Sequence, residues 1–220
     1  MTVTRKAVLL GVALLLGTTA WAQEFPRHEV ALTYSLAYYV PSTSIAKASN
    51  QFMNGGGGAY VFNFNSDLGF RADFQGYGSF TTVFTVPVVN PNPNGLTGTF
   101  KASGNLFTYL FGPQIKIHTH GLQPFGELLV GGAHSNLYGT AFHNCGVAFV
   151  CPSGVAPSND AFAFNIGGGV DIPMGHHFQV RPLEFDYLMT DFQNRFTGGV
   201  QSNWRYLAGV NLTLGSGGSQ

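Results

Sequence analysis

The sequence predicts an all-β protein, an eight-stranded antiparallel up-and-down transmembrane β-barrel, and three observations carry that prediction. Apolar and polar residues alternate with a period of two over segments of about eleven residues, the length a tilted strand needs to cross a bilayer. The ionisable residues of those segments share a face with glycine and alanine, while the opposite face is large and apolar, as lipid outside and a polar lumen inside require. The connections alternate long and short, as they do where tight turns form one rim of a barrel and loops the other.

The alternation is clearest in the last segment, Ser202 to Leu214, where Trp204, Tyr206, Ala208, Val210, Leu212 and Leu214 fall on one face and Arg205, Gly209, Asn211 and Thr213 on the other. Composition agrees with it. The chain of 220 residues is 45% hydrophobic but only 9% charged, far below the quarter usual in a soluble domain. Its 30 glycines, 20 phenylalanines and 9 tyrosines are β-rich usage, and a net charge of zero gives no reason to expect nucleic acid as a partner.

Residues 1–22 read as a signal peptide. Arg5 and Lys6 precede an apolar run from Ala7 to Leu16, and Ala20-Trp21-Ala22 supplies the small residues of a cleavage site. A barrel over 23–214 and a disordered tail over 215–220 are expected to follow. No other segment approaches eighteen continuous apolar residues, so helical membrane spans are excluded.

The first strand runs from His28 to Val40, with Val30, Leu32, Tyr34, Leu36 and Tyr38 outward and Glu29 inward. After a polar segment, the second covers Phe52 to Asn65, and its run Gly55–Gly58 lets the wall bend or leaves lumen space. Asn65-Ser66-Asp67 is a tight turn. The third strand, Leu68 to Phe80, sends Phe70, Ala72, Phe74 and Phe80 outward and Arg71, Asp73, Gln75 and Tyr77 inward. Asn90 to Gly95 contains two prolines and cannot lie within a ladder, because proline lacks the donor.

The fourth strand, Thr99 to Ile117, faces Phe107, Tyr109, Phe111 and Ile115 outward and Gln114 and Lys116 inward. A short turn, His118 to Gly121, leads to the fifth, Leu122 to Asn136, with Glu127 inward. The sixth, Ala161 to Ile172, alternates cleanly and places Asp171 inward; PMGHH, from Pro173, turns into the seventh, Phe178 to Met189. The seventh changes phase at Pro182, where a bulge is expected, so that Arg181, Glu184 and Asp186 all face in. The outward aromatics Tyr34, Tyr38, Tyr60, Tyr109, Tyr187, Trp204 and Tyr206 would supply interfacial girdles.

The candidate functional residues are therefore the inward charges Glu29, Arg71, Asp73, Lys116, Glu127, Asp171, Arg181, Glu184, Asp186 and Arg205. Counting from the short turns puts Arg71, Asp73, Lys116 and Glu127 at one depth and Asp186 level with Arg205. Lumen ion pairs follow, since a lone buried charge costs several kcal/mol. An eight-stranded barrel is just wide enough for side chains to fill, so a plugged polar lumen is expected, with a narrow channel for small solutes or ions as the alternative. No long apolar inner stripe suggests a lipid-binding tunnel.

Other chemistry is weaker. Cys145 and Cys151 in CGVAFVC read as a disulfide closing a small loop of an exported chain. His134 and Ser135 are adjacent, so on a strand they point to opposite faces and cannot share a proton as a hydrolase would need. His118, His120, His176 and His177 occupy neighbouring short turns, where a metal site is the rival of ordinary surface histidines. No catalytic residue, metal or cofactor is assigned. A soluble lipocalin-like barrel would put the grease inside, opposite to the pattern here.

NLFTYLFGPQIKI, PFGELLVGGAH, VRPLEFDYLMTDF and NWRYLAGVNLTL give the chain a resemblance to the small outer-membrane barrels of the outer membrane protein A type. The resemblance implies an integral protein of the Gram-negative outer membrane, monomeric, in contact with lipid and lipopolysaccharide and inserted by the outer-membrane assembly machinery. A structural or surface-interaction role is expected, with an extracellular partner met through the long loops, Leu137 to Asp160 above all, because a rigid barrel presents them and nothing else protrudes. The sequence departs from that type by ending its last strand at Leu214, followed by a polar tail instead of a terminal aromatic.

Overall fold

The computed structural model describes residues 25–40, 47–87, 97–119, 121–137, 160–192 and 200–217. Among them the chain forms β1 (Phe25–Tyr39), β2 (Lys47–Ala48), β3 (Gln51–Asn63), β4 (Leu68–Pro87), β5 (Thr97–Lys116), β6 (Gln123–Ser135), β7 (Asp160–Pro173), β8 (Phe178–Asp191) and β9 (Val200–Gly217). Each long strand pairs antiparallel with its neighbour in sequence, and β1 pairs with β9, so eight strands close into an up-and-down barrel with no free lateral edge. The alternation of large outward and small or charged inward residues makes this closure favourable. It solvates the grease in lipid and pairs every ladder group between strands.

The outer wall is apolar over its whole circumference. Leu32, Phe74, Phe111, Leu128, Phe162, Phe185 and Trp204 are all exposed on it. Its tyrosines are tethered: Tyr34 donates to Asn54 at 3.0 Å, Tyr187 meets the Ser202 hydroxyl at 2.7 Å and Tyr206 donates to the Pro182 carbonyl at 2.8 Å. This wall is that of a membrane-spanning barrel; a soluble barrel with such a surface would aggregate.

The short turns are built locally. The Asn65 side chain accepts from the Asp67 and Leu68 amides at 2.9 and 2.7 Å, an Asx turn that reverses the chain between β3 and β4. Gly175, with φ of 146°, supplies the left-handed residue between β7 and β8.

Two bulges set which residues face in. In β8, Arg181 pairs with Gly209 and Glu184 with Leu207, so Pro182 and Leu183 together oppose one residue of β9. The proline sits where no ladder donor is needed, and Arg181 and Glu184, three apart, both turn into the lumen. In β4, Tyr77 pairs with Leu106 and Phe80 with Gly104, so Gly78 and Ser79 oppose one residue of β5. This second bulge corrects the expectation for Phe80: it reverses the phase, and Phe80 is buried inside, with its ring 5.5 Å from that of Tyr39.

The strand ends differ from expectation in both directions: β3 stops at Asn63 and β6 spans Gln123–Ser135, shorter than expected, while other strands run longer. β4 continues seven residues past Phe80 to Pro87 and β9 continues to Gly217, with Pro26 and Phe25 pairing Ser216 and Gly217. Backbone pairing to β1 orders those tail residues, which carry no hydrophobic pattern to announce them. Beyond the last β3 and β6 partners, β4 and β5 rise as a ribbon of about nine residues per strand, roughly 30 Å long. β2, not expected from the sequence, adds to its edge through Lys47 opposite Thr85 and Ala48 opposite Phe84.

Candidate functional site

All ten ionisable residues assigned to the inner face lie inside the barrel, and ion pairs join every one of them into a single network. From the short-turn end, Lys116 Nζ lies 2.6 Å from Glu29 and 2.8 Å from Asp171. Arg181 reaches Asp171 and Glu184, each at 2.7 Å. Arg71 then connects Glu184 at 2.8 Å, Glu127 at 2.6 Å and Asp73 at 3.0 Å. Arg205 completes the chain with Asp186 at 2.7 Å and Asp73 at 3.5 Å. The pairing of Asp186 with Arg205 follows directly from their being opposite each other across β8 and β9.

Lys116 is the correction within the network. Sequence depth put it beside Arg71, Asp73 and Glu127, but it bonds instead with Glu29, Asp171 and Gln179. Gln114 and not Lys116 opposes Glu127 across β5 and β6. The stagger of a closed barrel therefore displaces Lys116 toward the short-turn rim.

Glycines make room for the network. Gly57 faces in, and a Cβ there would overlap the Gln75 side chain, which crosses over it to donate to Thr33 Oγ1 at 2.9 Å. Gly55 similarly lets Tyr77 cross from β4 to the Ser35 hydroxyl on β1, at 2.9 Å. The Gly55–Gly58 run is thus the gap through which β4 side chains reach β1. On the other wall, the Phe125 ring packs over Gly169 and carries the Arg181 guanidinium on its face, 4.2 Å from the centroid.

The short-turn end is closed by polar contacts. Asn63 donates to the Pro26 carbonyl at 2.7 Å and to Glu29 at 2.8 Å, while Asn211 donates to Glu29 at 2.6 Å. His118 stands 3.5 Å from Glu29 and contacts the Ser66 carbonyl. Above the network the chemistry changes. Tyr39, Met53, Tyr77, Phe80, Phe84, Leu106, Leu110, Leu129, Leu137, Leu188 and Phe192 form one buried apolar cluster on the inner face.

That cluster corrects the expectation of a uniformly polar lumen and of no apolar inner stripe. Its signal was present in the fourth strand, where stepping back by twos from Lys116 and Gln114 reaches Leu110 and Leu106. The two regions meet where Asp73 and Leu110 pair across β4 and β5.

The remaining candidates are not brought into a site. His134 is exposed on the outer wall, 2.8 Å from Asp160, while Ser135 is fully buried on the other face. His177 contacts the Thr213 carbonyl at 3.1 Å, and His118, His176 and His177 form no metal-binding group among the described residues. His120, Cys145 and Cys151, the expected signal peptide and residues 218–220 of the expected tail lie outside the described residues. The grouping with metal-ligand geometry among the described residues is Glu127, Glu184 and Asp186, whose carboxylate oxygens lie within 4.8 Å of one another.

No family model matches this sequence, and no curated protein matches it. Solved structures do. The chain is similar to Neisserial surface protein A, NspA, with a TM-score of 0.52 and 11% identity over 85% of this chain and 97% of that one. It is similar to the outer membrane protein OprG from Pseudomonas aeruginosa, with a TM-score of 0.54 and 12% identity over 87% of this chain and 97% of that one. At such identities the likeness is one of fold: a small, closed, antiparallel β-barrel.

Proposed function

We propose that this chain is an integral outer-membrane protein of the outer membrane protein A type, a closed scaffold that holds surface loops for contact with an extracellular partner. The observation that carries the proposal is the filled lumen. A ten-residue ion-pair network and an apolar cluster stand in series along the barrel axis, so a hydrated ion would have to part both. Two further features support it. The short-turn rim, set toward the periplasm, is closed by hydrogen bonds, and the ribbon of β4 and β5 rises on the opposite side with the long connections.

The protein works as a monomer in lipid and lipopolysaccharide, placed there by the outer-membrane assembly machinery, and it carries out no chemical reaction. His134 and Ser135 on opposite faces cannot act together on an outer-leaflet lipid. Planar-bilayer recording of the refolded protein is expected to give no steady openings. Ion-selective steps of constant size would overturn the scaffold reading in favour of a narrow channel. On intact cells, protease accessibility of the segment from Leu137 to Asp160 tests the orientation.

A further inference from the structure

The lumen network is not electrically balanced. Its members are six carboxylates, Glu29, Asp73, Glu127, Asp171, Glu184 and Asp186, against the four cationic side chains Arg71, Lys116, Arg181 and Arg205. All are buried, so solvent does not screen the two surplus negative charges, and charge left uncompensated in such a setting costs several kcal/mol. His118, the nearest other titratable group at Glu29, stands at the opposite end of the network from the place where the acids crowd.

That place is defined by a missing side chain. Gly167 on β7 lies between Glu127 on β6 and Asp186 on β8, paired across the sheet with both. A Cβ at Gly167 would clash with Asp186 Oδ1, so the Asp186 carboxylate leans over the glycine. Glu184 joins them within 4.8 Å. Arg71 and Asp73 face the group from β4, Arg181 from β8 and Arg205 from β9.

Two neutral amides neighbour Glu127. Asn165 gives its amide hydrogen to Glu127 at 3.0 Å, and its own carbonyl oxygen, fully buried, has no hydrogen-bond partner. Gln114, opposite Glu127 on β5 and 1% exposed, has no partner for either amide atom. Asp186 Oδ1 likewise has none. Three carboxylates and two neighbouring amides, with unpartnered oxygen atoms on Asn165, Gln114 and Asp186, thus mark a locus that carries surplus negative charge.

We propose that Glu127, Glu184 and Asp186, with the amide oxygens of Asn165 and Gln114, form a buried site for a small hard cation, a proton or an oxygen-seeking metal ion, taken up from solution as the barrel closes. A divalent ion matches the surplus by itself and suits an all-oxygen donor set; protons match it one charge each. The site is separate from the loops and its occupancy does not depend on whether the lumen conducts.

Two measurements on the full chain test this. Protein extracted in detergent without chelator is assayed for bound magnesium and calcium. Protein refolded into micelles at about pH 8, above the ordinary imidazole range, is followed with a pH indicator for proton uptake. One metal ion per chain, removed by chelator with a fall in the thermal midpoint of the heat-modifiable gel shift, identifies the metal. Proton uptake that drops by about one per chain in Asp186→Asn or Glu127→Gln identifies the proton.

A folded wild-type barrel with neither bound metal nor proton uptake overturns the proposal. So does uptake or metal content unchanged in both variants. Should the variants fail to fold, the two wild-type measurements decide alone.

Discussion

The lumen of this barrel is filled in two ways, and the contrast shows what each filling demands of the chain. Toward the short turns, charged side chains from seven of the eight long strands interlock, so that many depend on residues far away in sequence: Arg71 on Glu184, Glu29 on Lys116. Toward the long connections, leucines and aromatics pack against whatever lies beside them. A misplaced charge leaves another charge unpaired, whereas a misplaced leucine leaves a gap. Loss of one charged side chain is therefore expected to cost more in the first region than a change of apolar shape in the second.

The sharpest way to break this comparison is Arg71→Leu. It leaves Glu127 without its ion-pair partner and takes one partner each from Glu184 and Asp73, and a loss of about 3–5 kcal/mol is expected in urea unfolding of the refolded barrel. Leu110→Ala in the apolar region should cost about 2–5 kcal/mol by the cavity it opens, and it should leave planar-bilayer conductance absent because the charged layer still blocks the axis. If Leu110→Ala alone gave steady openings, the two fillings would not be in series.

Gly57→Val probes the gap that lets Gln75 reach Thr33. A loss of about 1–3 kcal/mol is expected, because the added atoms meet the Phe74 carbonyl as well as the movable Gln75 side chain. The smallest effect belongs to the outer wall. Phe162→Leu exchanges one apolar group for another against lipid and should shift the thermal midpoint by the equivalent of less than about 1.5 kcal/mol. A large effect there would mean that the outer face packs against protein.

Much of this was legible in the residues. Period-two alternation decides inside from outside without any knowledge of neighbours, since successive side chains on a strand must point opposite ways. Hence Arg71, Asp171 and Arg205 could be assigned to the interior, and Pro182 could be seen to break the phase, because proline cannot serve the ladder. The bulge at Gly78-Ser79 had no such marker: glycine and serine fit a regular strand, and Phe80 therefore read as outward. The two-residue β2 is too short for any period to show.

The sequence by itself determined that the chain closes into a membrane barrel with its charges inward, because that depends only on local alternation and on the lengths of connections. Beyond the Asp186–Arg205 pair and the grouping of Arg71 with Asp73 and Glu127, tertiary structure alone decided which charges meet, and it decided where the polar lumen ends. Those depend on the stagger of eight tilted strands, which moves Lys116 down to Glu29 and brings Glu127 and Asp186 together over Gly167. Stagger is a property of the closed ring, and no single strand contains it.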